Sequence, residues 1–436
     1  MHGETLDTTI EKLVTGGAGM GRKDGEVVFV RGALPGERVR ARIVRRAKGF
    51  LEAALLEILE ASPDREEPPD MSPGALAGAD LFYMKLAAQR EAKREIVRDC
   101  FARIARIDLG ERLEGPEPAG PAWGYRNKIR LHLGRGGRYG MHRRGTRVVV
   151  PFDHNLLMPE VFNHEALPFL LALPRARQAL VRLDGKGGFL VDLSGGEGKP
   201  ASFAERVLAR IGETRVPPSC LGLLVNGGAV WGEDHLEIPL AGRVFRVHAE
   251  SFFQVNLAET EALVRRIAAR MEEDGRSADR RGPLLLDLYG GVGLFAAALG
   301  DRFEKVVTVE SDRVAVRDAR ANLARDPELA KRGTVVPGLV EKVLSQWARS
   351  GFPHGDLEKA EVVADPPRTG LGASVIRDLG RLRPRRIDLV SCDPATLARD
   401  ARLLEAEGYG IERVLLIDMF PQTPHIETVT AFRSPA

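Results

Sequence analysis

The chain is poor in the features that usually announce a class of protein. Its 436 residues hold three cysteines, Cys100, Cys220 and Cys392. That is too few, and too widely spaced, for a disulfide scaffold, so a reducing, cytoplasmic setting is expected. Three scattered thiols also cannot supply the four thiolates of one iron–sulfur cluster. No apolar run approaches the ~18 residues a membrane span needs, and no membrane partner is expected. The opening Met1-His2-Gly3-Glu4 is polar and lacks a signal-peptide pattern. The formal net charge is only +3, a whole-molecule field too weak to argue for nucleic acid by itself. Internal repeats and long low-complexity tracts are also missing.

What is present is an ordinary globular composition, 44% hydrophobic and 29% charged, with length enough for two or three domains. The positive charge is clustered. Arg38, Arg40, Arg42, Arg45, Arg46 and Lys48 crowd one segment. Arg135, Arg138, Arg143, Arg144 and Arg147 crowd a second, and Arg381, Arg383, Arg385 and Arg386 a third. Any one cluster reads equally well as a solvated face. Together, in a nearly neutral chain, they favour a polyanionic partner.

Three segments differ in pattern. Residues 1–61 carry short strands joined by glycine turns, with Val39, Ala41 and Ile43 alternating with arginines. This reads as a small OB-like β-barrel of the kind that binds nucleic acid. Ser62 to Pro73 reads as a linker. Residues 62–245 are mixed α+β, with a helix over Leu86 to Ile107 and strands at Lys128 to Leu133, Arg147 to Val150 and Cys220 to Val225. Residues 246–436 alternate helix and strand. Strands at Leu284–Leu288, Val306–Val309, Val362–Ala364, Ile387–Val390 and Val414–Ile417 make an α/β, parallel, doubly wound, Rossmann-like pattern.

In that pattern, ligands bind beyond the carboxyl ends of the strands. The strand ending at Leu288 runs into Tyr289-Gly290-Gly291-Val292-Gly293, a turn that lets a cofactor approach the backbone. Glu310 ends the next strand, roughly 20 residues on, where a carboxylate can accept from ribose hydroxyls. The pair favours an adenosine-containing ligand without separating a nicotinamide cofactor from S-adenosylmethionine. Asp365-Pro366-Pro367-Arg368 leaves the sheet on a backbone stiffened by two prolines. Cys392 ends a strand, where its thiol stands at the sheet edge. It reads either as a small buried hydrophobe or as a nucleophile. Glu427 lies beside a proline-containing loop, as a surface charge or a general base. Gln254, in Ser251-Phe252-Phe253-Gln254-Val255-Asn256, offers an amide to a ligand.

Together, these segments resemble the uracil-C5 RNA methyltransferase family. The resemblance rests on Ser251-Phe252-Phe253-Gln254-Val255-Asn256, Asp287-Leu288-Tyr289-Gly290-Gly291-Val292-Gly293, Asp365-Pro366-Pro367-Arg368, Ser391-Cys392-Asp393-Pro394 and His425-Ile426-Glu427, with Tyr125-Arg126-Asn127-Lys128 as a further match. The order of these segments is more specific than any one of them. The barrel is similar to a TRAM domain, an RNA-binding module. The resemblance implies a methyl group moving from S-adenosylmethionine to C5 of a uridine. Cys392 would add to C6, and Glu427 would remove the C5 proton. Gln254, Tyr289, Glu310 and Asp365 match the family's cofactor contacts. Ribosomal RNA is the expected substrate, with transfer RNA as the alternative. A non-catalytic RNA-binding factor on the same scaffold is the rival from another class. Two departures stand out. Residues 71–80 lack the cysteines with which many relatives hold an iron–sulfur cluster, so no cluster and no other metal is expected. Gly290 and Leu294 replace a cysteine and a polar residue common in relatives.

Overall fold

The computed structural model describes residues 4–275 and 279–434. Met1 to Gly3, part of the opening read for a signal peptide, lie outside the described residues.

Five strands close the N-terminal barrel: Thr5–Leu13, Ala18–Lys23, Glu26–Arg31, Arg38–Ala47 and Phe50–Glu60. Alternation along Thr5–Leu13 and Arg38–Ala47 turns Leu6, Ile10, Val39 and Ala41 inward to meet Val28, Val30 and Leu51. The arginines of the fourth strand face outward, as period-two alternation requires. They do not form a free cationic face, however. Arg38 pairs with Glu60, Arg40 with Asp7 and Glu57, Arg45 with Glu52, and Arg46 with Glu4. Cross-strand pairing places carboxylates opposite most of that cluster.

The segment read as a linker is pinned at several points, among them Asp70, which meets His154 at 2.7 Å. Arg65 holds the fully buried carboxylate of Glu37, with Nε to Oε1 at 2.6 Å, and covers the Tyr83 ring at 4.9 Å. The expected long helix is α-helical over Leu86–Cys100 and continues as a wider turn over Phe101–Ala105. It packs into the same core as the C-terminal sheet, with Val97 and Phe101 beside Leu397 and Leu404. Lys93 and Arg90 lock it there through Asp418, at 2.9 and 2.8 Å.

After the barrel in sequence comes a seven-stranded sheet built on Lys128–Leu133, Ala176–Leu183, Phe189–Gly196 and Cys220–Val225, with shorter strands at both edges. The strand expected at Arg147 to Val150 is one of the edges, observed at Val149–Pro151.

The C-terminal sheet has eight strands. Their order is Gly333–Pro337, Phe303–Glu310, Gly282–Leu288, Glu361–Ala364, Arg386–Ser391, Glu427–Arg433, Gly410–Ile417 and Leu113–Glu114. Seven run parallel and one, Glu427–Arg433, runs against them. The strand order reverses between Gly282–Leu288 and Glu361–Ala364, which opens a crevice at the carboxyl ends of the strands. Arg386, the first residue of its strand, is buried and bound to Asp274 and Glu412 at 2.7 and 2.6 Å. The third arginine cluster is therefore in part a core ionic network. Among the described residues, no helix is long and apolar enough to cross a membrane.

Candidate active site

At that crevice a cleft of about 760 Å³ opens, and Gln254, Tyr289, Glu310, Asp365, Cys392 and Glu427 all line it. Three of them sit just before a helix whose N-cap fixes the chain as it leaves the preceding segment. Asn256 accepts from Glu259 N at 3.3 Å, two residues after Gln254. Asp312 accepts from Val314 N and Ala315 N at 3.0 and 2.8 Å, two residues after Glu310. Asp393 accepts from Ala395 N and Thr396 N at 3.0 and 2.9 Å, directly after Cys392. Side chains that satisfy the first free N–H groups of a helix hold its entry in one geometry. Here that geometry presents the site residues.

The glycine turn is held from both sides. Tyr289, Gly291 and Gly293 all have positive φ, at 59°, 54° and 80°. Tyr289 adopts this conformation without being glycine, and its hydroxyl donates to Glu341 Oε1 at 3.3 Å. Gly291 N donates to Glu310 Oε2 at 2.9 Å, while Ser311 N and Asp312 N donate to Oε1 at 2.6 and 2.7 Å. Glu310 therefore joins the turn to the end of the neighbouring strand. Beneath them the buried Asp287 accepts from Ala296 N at 3.1 Å and from Thr308 Oγ1 at 3.2 Å. Burial pushes its carboxyl up to about 7. Gly290 has a packing reason to lack a side chain, because a Cβ there would overlap Thr308 Oγ1.

Across the crevice, Gln254 Nε2 donates to Asp365 Oδ2 at 3.0 Å. The Gln254 segment is clamped by the Tyr125-Arg126-Asn127-Lys128 segment. Asn127 N donates to Val255 O at 2.9 Å, and Asn127 Nδ2 to Gln254 O at 3.2 Å. Tyr125 Oη donates to Pro421 O at 3.0 Å, which ties the same segment to the loop before Glu427.

The electrostatics are those of crowded carboxyls in a place of low polarity. Burial raises Glu427 well above the usual carboxylate range, and the Asp365 charge adds to this. Burial pushes Asp365 up to about 6 against the opposing Gln254 amide. The half-buried Cys392 thiol is pushed up to about 11, first by burial and then by the Glu427 charge. Arg368 works the other way on both Glu427 and Cys392, favouring their anionic forms. Neither the clamp by Tyr125 and Asn127 nor this counter-charge from Arg368 was assigned from sequence. Arg368 stood within the matched Asp365-Pro366-Pro367-Arg368 segment, the available clue.

The donor set fits S-adenosylmethionine. Glu310 provides a carboxylate beside an open glycine turn, and Asp365 and Gln254 provide polar contacts opposite. Phe252 and Leu339, exposed to 64% and 48%, supply apolar surface on the cleft wall. Among the described residues, no group of three or more His, Cys, Asp or Glu is placed to hold a metal ion.

Comparison with known proteins gives the same outline. The TRAM domain model matches residues 1–56, and the tRNA (Uracil-5-)-methyltransferase model matches residues 338–433. An RNA methyltransferase of Streptomyces coelicolor is 33% identical over 98% of this chain and 92% of its own. One of Streptomyces avermitilis is 34% identical over 98% of both. Among solved structures, the Pyrococcus abyssi tRNA (uracil-54, C5)-methyltransferase in complex with S-adenosyl-L-homocysteine superposes with a TM-score of 0.71. It covers 98% of this chain and 99% of its own at 23% identity, a likeness of fold.

Proposed function

This chain belongs to the S-adenosylmethionine-dependent uracil-C5 RNA methyltransferase family, and from that premise we propose that it methylates C5 of a uridine through a covalent adduct on Cys392. The observation that carries the reading is the meeting of Cys392, Glu427, Asp365 and Arg368 in the cleft that also holds the glycine turn and Glu310. The three-part division at 1–61, 62–245 and 246–436 goes with this reading, the first part binding RNA and the last performing the transfer.

The proposed chemistry follows from the residue types. C5 of uracil is a poor nucleophile. Addition of Cys392 Sγ to C6 moves electron density onto C5, and this is nucleophilic catalysis. S-adenosylmethionine, when bound, supplies the methyl group that C5 takes. Glu427 then removes the C5 proton, and elimination frees Cys392. A carboxylate with a raised pKa is a stronger base than an exposed one, which suits that role. Glu310 and the glycine turn would hold the nucleoside end of the cofactor, with Gln254, Asp365 and Tyr289 as its other contacts. A uridine inside folded RNA would first be turned out of its stack.

Ribosomal RNA is the proposed substrate, on the resemblance of the barrel to those of ribosomal RNA enzymes. Transfer RNA is the second reading, supported by the description of the matching family model and by the substrate of the Pyrococcus abyssi enzyme. One experiment addresses both. RNAs of each kind carrying 5-fluorouracil are incubated with the protein and S-adenosylmethionine. Fluorine cannot leave as a proton does, so the reaction stalls as an adduct. A denaturing gel and peptide mass spectrometry are expected to find RNA joined to the peptide containing Cys392. RNA binding without an adduct, for either RNA, would favour the non-catalytic factor.

A further inference from the structure

The wall of the cleft that carries Glu427 is held from outside the sheet. Strand Gly410–Ile417 returns to strand Glu427–Arg433 through a loop over residues 418–426. Phe420 and His425 of that loop line the cleft beside Glu427. Each residue from Asp418 to Gln422 is bound by a group distant in sequence. Asp418 takes Arg90 and Lys93. Met419 O accepts from Asn256 Nδ2 at 3.2 Å, Phe420 O from Lys93 Nζ at 2.9 Å, and Pro421 O from Tyr125 Oη. Gln422 O accepts from Leu81 N at 2.9 Å. Gln422 itself has a φ of 65°, which a residue other than glycine keeps only where its surroundings over-determine it.

Two of these grips come from one face of the helix Leu86–Cys100, where Gln89 and Lys93 stand one turn apart. Both are buried. Gln89 and Gln422 are bonded reciprocally. Gln89 Oε1 accepts from Gln422 N at 2.9 Å, and Gln89 Nε2 donates to Gln422 Oε1 at 2.8 Å and to Met84 O at 2.7 Å. Lys93 continues toward the site. Phe420 O, which it binds, also accepts from Thr423 Oγ1 at 2.9 Å, and Thr423 Oγ1 accepts in turn from His425 N at 3.2 Å. His425 stands two residues before Glu427, with its ring 5.6 Å from that of Phe420 between centroids. A chain of hydrogen bonds thus runs from the helix to the two rings beside Glu427. Apolar side chains would join helix to sheet at a lower desolvation cost. A fully bonded polar network adds something else, because it fixes where the loop backbone lies.

We propose that Gln89 and Lys93 are positioning residues for the step in which Glu427 takes the C5 proton. This rests on the reading of Cys392 as nucleophile and Glu427 as base. In that step the C5–H bond breaks and its proton passes to the Glu427 carboxylate. The electron pair restores the C5–C6 double bond, and the C6–S bond breaks to release the Cys392 thiolate. A base acts only within hydrogen-bond reach of the proton it removes, so a small displacement of the loop that leads into Glu427 slows the step. Addition of Cys392 depends on other elements. Cys392 follows strand Arg386–Ser391 and precedes helix Pro394–Ala406. Among the described residues, neither Gln89 nor Lys93 is hydrogen-bonded to either of them. The two side chains are therefore placed to govern release of the adduct and not its formation.

The test uses the full chain, labelled S-adenosylmethionine, and a pool of transcribed ribosomal and transfer RNAs. Adduct formation is read as the rate of trapping by the same pool carrying 5-fluorouracil. Release is read from kcat and from the covalent species that ordinary uridine RNA leaves on a denaturing gel. Gln89→Met and Lys93→Met keep most of the side-chain length and remove the hydrogen bonds, and Arg90 still pairs with Asp418 in the second. Each is expected to lower kcat roughly 10- to 100-fold and to accumulate adduct on ordinary RNA. The trapping rate and the KM for S-adenosylmethionine are expected to stay at the wild-type level. Gln422→Gly decides the matter if neither variant folds, because glycine suits the positive φ and only the side-chain grip is lost. Lower thermal stability with wild-type kcat and no accumulated adduct would overturn the inference, since the network would then be structural only. Equal slowing of trapping and release would overturn it as well. A wild-type protein that binds S-adenosylmethionine and RNA but forms no adduct would overturn the reading of Cys392 and Glu427, and this inference with it.

Discussion

Glu427 opens the antiparallel strand of the eight-stranded sheet, directly beside the parallel strand that ends just before Cys392. Thr428 lies opposite Ser391. An antiparallel strand begins where its parallel neighbours end. That is why two residues 35 positions apart reach one edge of the sheet. Were the strand parallel, Glu427 would stand at the opposite edge. The pairing also explains why the Glu427 charge disfavours the Cys392 thiolate inside a crowded cleft.

Cys392→Ala is expected to abolish methyl transfer while leaving S-adenosylmethionine binding at the wild-type level. The thiol is half-buried on the cleft wall, and alanine keeps the backbone and the Asp393 cap in place. Titration calorimetry and a labelled-methyl assay check the two halves. Retained turnover would remove the covalent mechanism.

Glu427→Gln is expected to allow the adduct with ordinary uridine RNA and to slow its release. Glutamine cannot accept the C5 proton, so the covalent species accumulates on a denaturing gel. The same change removes a charge that raises the Cys392 pKa. Cys392 should then react faster with iodoacetamide at mildly alkaline pH than it does in the wild type. An equal alkylation rate would mean the two groups do not sense one another.

Asp365→Asn separates stability from function. The folded-state pKa of Asp365 is raised to about 6, above the ~3.9 of an unfolded aspartate. The folded state therefore prefers the protonated form. The stability this confers is complete below the unfolded pKa and is lost as pH rises through the folded one. Asparagine avoids that loss. Thermal unfolding should show the variant equal to wild type near pH 4 and more stable at pH 7.5, by about 1–3 °C. S-adenosylmethionine affinity should fall. A variant less stable at pH 7.5 would show that the Asp365 charge is satisfied in the fold.

Arg270→Ala tests the ionic network at the far edge of the sheet. Arg270 holds Glu361 at 2.9 Å, Asp388 at 2.5 Å and Asp274 at 3.2 Å, all buried or nearly so. Removing the cation leaves carboxylates in the core, and breaking such a pair costs about 3–5 kcal/mol. Denaturant unfolding should report a loss of that order, with S-adenosylmethionine affinity unchanged well below the transition.

Iron analysis of the purified protein is expected to find no stoichiometric metal. The segment from Met71 to Asp80 carries no cysteine, and Cys100, Cys220 and Cys392 are free thiols. Iron near one cluster per chain, with visible absorbance, would overturn this expectation.

Much of this protein was determined by its sequence alone. Alternation of apolar and polar residues marked the barrel strands, and short apolar runs between helical stretches marked the parallel sheet. The turn after Leu288, the acid at Glu310 and the cysteine at a strand end were legible because each follows a strand, and strand ends carry sites in this architecture. Periodicity, however, reads the same in both directions along a strand. It could not reveal that Glu427–Arg433 runs antiparallel, and so could not bring Glu427 to Cys392. Nor could local pattern reveal partners distant in sequence. Register between strands decided that the barrel arginines face carboxylates, and that Arg386 is a core residue. Only packing of distant segments put Tyr125 under the Pro421 loop and Gln89 against Gln422. Side-chain type is a local property, whereas counter-charges and burial are set by whichever distant segment the fold packs alongside.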